Sequence, residues 1–199
     1  MFYLDLFRKR EEEGVRYLVV GGVAINLHGA ERMTMDVDLM LGLDAPNLER
    51  FLAVANSLRL KPAVLPVTLE QFCDAEMVAS WVREKSMLAF RLRGPELAAP
   101  SLDILIRPVV SFEEAYQRRA RIPVGDLRIS VAVPQDLIEL GMETYDCANE
   151  LSDEQLLHYS SLPAIAKLRW LHEARRFTLL ARASREATDK HQDKTRPPA

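Results

Sequence analysis

The stretch LVVGGVAINLHGAERMTMDVDLML, residues 18–41, decides how this chain is read. It begins inside a continuous β-prone run, Val15 to Val20, that ends on Gly21 and Gly22. The VAINLHG that follows suits about two helical turns closed at Gly29. From Met35 to Gly42, Met35, Val37 and Leu39 alternate with Asp36, Asp38 and Met40, the period-2 pattern of a strand. The expected order is strand, glycine turn, short helix, strand.

That order has a chemical reading. Two glycines where a strand turns into a helix leave backbone N–H groups and the positive end of the helix dipole open to an anion such as a phosphate. Alternation puts Asp36 and Asp38 on one strand face, with Cα atoms ~6.6 Å apart at ~3.3 Å rise per residue. Neighbouring carboxylates repel, and a hard cation such as magnesium, held by carboxylates and substrate phosphates, is the usual reason to keep them together. A phosphate cradle beside a magnesium platform implies a nucleoside triphosphate. A third carboxylate on a nearby strand would complete a two-metal site or act as base. Asp103, inside the otherwise apolar SLDILI, is the natural candidate, because an aspartate there needs a partner or a metal to offset its desolvation. Asp126 and Asp136 sit beside turn residues and are weaker candidates.

Working outward, residues 2–13 have helical spacing of Phe2, Tyr3, Leu6 and Phe7. Asp44-Ala45-Pro46 starts a helix over 46–59, and 68–80 suits another short helix. Strands are expected at Met87–Arg93 and Ser101–Ile106, separated by the turn-rich GPELAAP, and one or two more within 122–131. Ser111 with Glu114 has the form of a capping box. From Pro134 onward the pattern is helical, over 135–148, 152–160 and 163 to about 180. The fold class is therefore α/β (α+β): a mixed sheet flanked by helices in residues 1–130, a helical segment over 131–180 packed on it, and a tail, 181–199, too poor in large apolar side chains to join a core.

Composition narrows the partners. With 26 Lys and Arg against 29 Asp and Glu the net charge is −3, so no general positive field draws the chain onto nucleic acid or anionic lipid. Apolar content of 48% excludes wholesale disorder. Cys73 and Cys147 have no C-x-x-C partner, the histidines lack zinc spacing, and the start MFYLDLFRKREEE has no leader character; a reducing, cytoplasmic setting is expected. The longest apolar run, Tyr17 to Ile25, is short of the ~20 residues a membrane helix needs. His28 reads as a packing residue at the end of its short helix. Lys167, Arg169, Arg175 and Arg176 with Trp170 form the best local basic patch, which suits either an RNA contact or a solvated helix face. There is no G-x-G-x-x-G, P-loop or G-x-S-x-G motif.

Gly21-Gly22, Asp36-Val37-Asp38 and Asp103 resemble the glycine pair, D-h-D pair and third aspartate of the nucleotidyltransferase (DNA polymerase beta-like) superfamily. VGGVAINLHG followed by RMTMDVD is most similar to bacterial nucleotidyltransferases related to AbiEii-type toxins, and the likeness spans roughly residues 15–110. The resemblance implies magnesium-dependent transfer of a nucleoside monophosphate from an NTP to a protein or RNA hydroxyl with release of pyrophosphate. It also implies that Asp36, Asp38 and Asp103 hold two Mg²⁺ ions and that Gly21 and Gly22 hold the triphosphate. Arg32, just ahead of the pair, is placed by its charge to reach a phosphate. Two departures stand out: many relatives have Gly-Ser where this chain has Gly21-Gly22, and LIELGMETYD lacks a lysine that relatives often carry there. These keep open a non-catalytic alternative, a nucleotidyltransferase-like binding partner in a toxin–antitoxin pair or a nucleotide sensor.

Overall fold

The computed structural model describes residues 2–30, 34, 36–63, 67–85, 87–95, 100–141 and 160–174. Helix α1, Phe2–Glu12, leads to strand β1, Tyr17–Val20, and directly into α2, Gly21–His28; β2 is Asp36–Leu41 and α3 is Ala45–Ser57. Then come β3, Lys61–Pro62, the helices α4, Leu69–Phe72, and α5, Ala75–Lys85, and the strands β4, Ala89–Arg93, and β5, Ser101–Leu105. The chain continues through α6, Phe112–Gln117, β6, Ala120–Val124, β7, Leu127–Val131, and α7, Pro134–Glu139; residues 164–174 are again helical and are called α8.

The strands form one seven-stranded sheet in the order β3-β4-β5-β2-β1-β7-β6. β2 runs parallel to β5 and β1 parallel to β7, while the other neighbours are antiparallel, so the sheet is mixed as expected. The parallel pairs are chain-distant and the antiparallel ones mostly local, as loop geometry requires.

Alternation decides which face meets the helices. In β4, Phe90 and Leu92 are buried while Ala89, Arg91 and Arg93 are exposed; in β5, Leu102 and Ile104 are buried. The buried face of β4 carries an aromatic stack: Phe90 lies parallel to Phe72 of α4 at 4.4 Å and near-parallel to Trp81 of α5 at 5.9 Å. Phe51 of α3 meets Phe72 edge-on at 5.9 Å. Such ring pairs add to the burial of large apolar area. On α1, buried Tyr3, Leu6, Phe7 and Arg10 form one stripe. Arg10 is fully buried over the rings of Tyr17 and Phe51, at 5.0 and 5.9 Å. Buried Asn47 ties α3 to the strands: its side chain accepts from Arg16 N–H at 2.7 Å and donates to the carbonyls of Arg16 and Gly42 at 3.0 and 2.8 Å.

Several expectations are corrected. The glycines do not precede the short helix but start it, because α2 begins at Gly21. The single helix expected over 68–80 is two, and the capping box lies at Thr68 and Gln71 of α4. Ser111 is the N-cap of α6, yet its side chain makes no capping hydrogen bond. That short helix is held by Arg16 instead, which pairs with Glu113 and lies over the Phe112 and Tyr116 rings at 5.4 and 5.1 Å. The helix expected over 135–148 stops at Glu139, where Leu140 N–H donates to Asp136 and Gly141 N–H to Ile138. The helix of 152–160 falls almost entirely, and the tail 181–199 entirely, outside the described residues, as do Cys147, Arg175 and Arg176. No helix among the described residues is long and apolar enough to cross a membrane.

Candidate active site

The sheet register assembles the carboxylates. β2 and β5 are parallel neighbours with Asp38 opposite Asp103 and Asp36 opposite Ser101. Adjacent strands lie ~4.8 Å apart and opposed residues share a face. Asp36, Asp38, Ser101 and Asp103 therefore lie on one face, away from the side chains of Val37, Leu102 and Ile104, which are buried in the core. Ser101 Oγ donates to Asp36 Oδ1 at 2.6 Å.

The glycine turn meets this face at one corner. Val20, the last residue of β1, pairs with Asp38, so Gly21 starts α2 directly beside the Asp38 carboxylate. A Cβ on Gly21 would fall 2.0 Å from Asp38 Oδ2 and 2.7 Å from its Cγ, and the backbone there has φ +65°. Both facts demand glycine. A Cβ on Gly22 would fall 2.7 Å from Thr34 Cβ, so the second glycine admits Thr34 of the loop before β2. The residue preceding α2, Val20, supplies no side-chain cap to its first amides. The amide-rich start of the helix and the carboxylate face are thus adjacent.

One charged residue here is absent from the expected set. β4 pairs with β5 so that Arg91 stands opposite Asp103. Its guanidinium forks onto Asp103, Nε to Oδ1 at 2.7 Å and an Nη to Oδ2 at 2.5 Å, and also lies 3.7 Å from Asp36 Oδ2. The hydrogen bond to Asp103 and its charge hold the Arg91 guanidinium above the usual arginine value, with Asp36 and Asp38 adding to the effect. The partner that offsets the desolvation of Asp103 is therefore Arg91, on the neighbouring strand. Among the described residues no three His, Cys, Asp or Glu side chains are grouped to hold one metal ion. Both oxygens of Asp103 are on Arg91.

The donor chemistry nevertheless suits magnesium: three carboxylates from two adjacent strands are hard oxygen donors, and Gly21 leaves no side chain between Asp38 and the helix start. Asp36 and Asp38 are the residues that would hold it, and Asp103 only once Arg91 leaves its oxygens.

The other candidates are structural. Asp126 is exposed and pairs with Arg8 at 3.2 Å, and buried Asp136 takes a fork from Arg118 at 2.6 and 2.9 Å. The His28 ring bonds the Ala132 carbonyl through Nε2 at 2.7 Å. Lys167 does not join an exposed basic patch, because it is buried with Nζ donating to the Ser160 carbonyl at 3.3 Å. Burial lowers its pKa. Of that patch Arg169 is exposed and Trp170 half-buried against the core.

No family model and no curated protein matches the chain. Among solved structures it is similar to the solution structure of the antibiotic-resistance factor ANT(2″)-Ia, with 14% identity, a TM-score of 0.44 and 96% of each chain covered.

Proposed function

We propose that the chain is a magnesium-dependent nucleotidyltransferase that moves a nucleoside monophosphate from an NTP onto a protein or RNA hydroxyl and releases pyrophosphate. The observation that carries this reading is the single corner at which Asp38 stands opposite Asp103 and lies against Gly21 at the start of α2. A carboxylate face touching a helix start can serve the cation and the phosphates of one metal–nucleotide complex. Gly21 and Gly22 then present backbone amides to the triphosphate. Asp36 and Asp38 form the platform below it, with Ser101 fixing Asp36. Asp103 accepts the proton of the attacking hydroxyl as its oxygen bonds to the α-phosphorus and the bond from that phosphorus to the β-bridging oxygen breaks. Magnesium, when bound, supplies the Lewis-acid charge that such displacements need at the attacking and leaving oxygens.

The test requires no knowledge of the acceptor. Thermal unfolding is followed with each of the four NTPs, with and without Mg²⁺, for the wild type and Asp38→Asn. A ligand at ~100 times its dissociation constant stabilises by ~2.7 kcal/mol. A magnesium-dependent shift that Asp38→Asn abolishes supports the reading. A folded wild type that no nucleotide shifts refutes it.

One observation favours the second reading, a nucleotidyltransferase-like binding partner or nucleotide sensor without transfer: Arg91 occupies both oxygens of Asp103, the residue given the proton. A stabilising shift by nucleotide that is indifferent to Mg²⁺ and to Asp103→Asn would select it.

A further inference from the structure

We propose that Arg91 is the resident counter-ion of the carboxylate face, holding Asp36 and Asp103 until a divalent cation takes its place. The proposal rests on the metal-dependent reading above and names the residue that the cation must displace.

Three carboxylates on adjacent strands repel one another, and the repulsion is strongest for the least hydrated of them. The Asp103 side chain is only 13% exposed, whereas that of Asp36 is 31% exposed. Of these two, Asp103 therefore has the greater need of a partner. Arg91 meets it with a bidentate fork, the strongest geometry available between a guanidinium and a carboxylate. Its reach to Asp36 at 3.7 Å lets one cationic side chain serve two of the three acids.

The fork uses the lone pairs that a hard cation would need, so Arg91 and a metal on Asp103 are alternatives. Exchange is feasible because the Arg91 side chain is 46% exposed: its head can turn into water from its strand without opening a hole in the core. Asp103 cannot follow it, being anchored in β5 with Leu102 and Ile104 in the core. The acid stays and the counter-ion changes.

Arg91→Ala, Arg91→Lys and Arg93→Ala are compared with the wild type and with Asp38→Asn, all as full chains. Arg93 is exposed, two residues along the same strand, and controls for the loss of a nearby positive charge. Mn²⁺ binding is measured by titration calorimetry, and thermal unfolding is recorded in EDTA and in saturating Mg²⁺. Removing the competitor should tighten Mn²⁺ binding roughly fivefold, the factor that ~1 kcal/mol of lost pairing represents. Arg93→Ala should change it less than about twofold, as a screened charge would. Arg91→Ala should unfold at a lower temperature than the wild type in EDTA, and the deficit should vanish in Mg²⁺. Arg91→Lys, with a charge but no fork, should fall between them.

If Mn²⁺ binds the wild type but not Asp38→Asn, and Arg91→Ala neither tightens binding nor closes its deficit in Mg²⁺, Arg91 is an ordinary structural ion pair and the exchange is wrong while the metal site stands. If neither the wild type nor Arg91→Ala binds Mn²⁺, the metal-dependent reading itself falls, and the exchange with it.

Discussion

Gly21→Ala tests the corner on which the site is built. Two separate penalties are readable at that position. The first is conformational: φ is +65°, where an L-residue bearing a Cβ costs ~1–2 kcal/mol. The second is steric: the new Cβ would lie 2.0 Å from Asp38 Oδ2, 2.7 Å from Cγ and 2.9 Å from Cβ. Because Asp38 Cβ is itself within that range, a swing of the carboxylate alone does not relieve the overlap. Forcing extra volume into a packed site costs ~1–3 kcal/mol. The sum is ~2–5 kcal/mol of lost stability by urea denaturation. The protein supplies its own control in Gly125, whose φ of +64° is the same but which has nothing within 4 Å of its missing Cβ. Gly125 opens the two-residue turn between β6 and β7, in which Val124 pairs with Leu127. Gly125→Ala should therefore show only the conformational part, ~1–2 kcal/mol. A double-mutant cycle separates the steric part further. Asp38→Ala removes the two nearest of the three contacting atoms, so Gly21→Ala should cost ~1–2 kcal/mol less in that background than in the wild type. If Gly21→Ala and Gly125→Ala cost the same within ~0.5 kcal/mol, or the cycle is additive, Asp38 does not lie against the start of α2 and the corner is misassigned.

Three further outcomes are expected. Asn47→Ala removes three hydrogen bonds to the backbone of Arg16 and Gly42 at a buried position and should cost ~2–4 kcal/mol, read by urea denaturation, since the stranded groups lose their partners. Among the described residues Arg10 has no hydrogen-bond partner for its three guanidinium nitrogens, and burial pushes its pKa down to about 9. A cation depressed in the folded state destabilises most below that pH, so Arg10→Met should raise stability at pH 7 by ~1–2 kcal/mol, seen as a higher denaturation midpoint, and its advantage should shrink as the pH climbs above about 9. A midpoint lowered by the change would mean that the guanidinium is solvated or paired in solution. Burial and the charge of Glu70 push the Cys73 thiol up to about 12 from 9.0. Its contribution to stability is therefore complete below pH 9 and is lost as pH rises towards 12, and Cys73, followed separately from Cys147 by peptide mass spectrometry, should be alkylated by iodoacetamide at pH 8 far more slowly in native than in urea-unfolded protein.

Much of the site was legible because its acids obey a period. Alternation through Asp36-Val37-Asp38 and through SLDILI places each acid on the polar side of its strand, and the glycine pair marks where β1 becomes α2. Which strands become neighbours is not a periodic property. That β5 lies beside β2, 60 residues upstream, depends on sheet order, and so does the pairing of Asp38 with Asp103. The local misreadings have local causes. Ser111 with Glu114 satisfies the capping-box pattern, but the stronger demand on that helix is the Arg16 guanidinium, which takes Glu113. Thr68 and Gln71, in a stretch with little apolar periodicity, carry the box that forms. The two-residue β3 is too short to show any period at all.

Arg91 is the instructive omission, because a signal for it exists. Strands on either side of GPELAAP, residues 94–100, pair symmetrically about position 97 if they form a hairpin, and that symmetry sets 91 opposite 103 and 92 opposite 102, the register observed. Applied to the sequence, the rule puts a guanidinium beside Asp103, an acid in an otherwise apolar strand. The consequence reaches beyond one residue. Counted along the chain the corner is three negative charges, but counted across the sheet it is three negative charges and one positive charge already in contact. A cation arriving there does not meet bare carboxylates. If the proposed exchange holds, the affinity of that cation is what remains after Arg91 has been detached, and by reciprocity whatever strengthens the Arg91–Asp103 fork would weaken the hold on the metal.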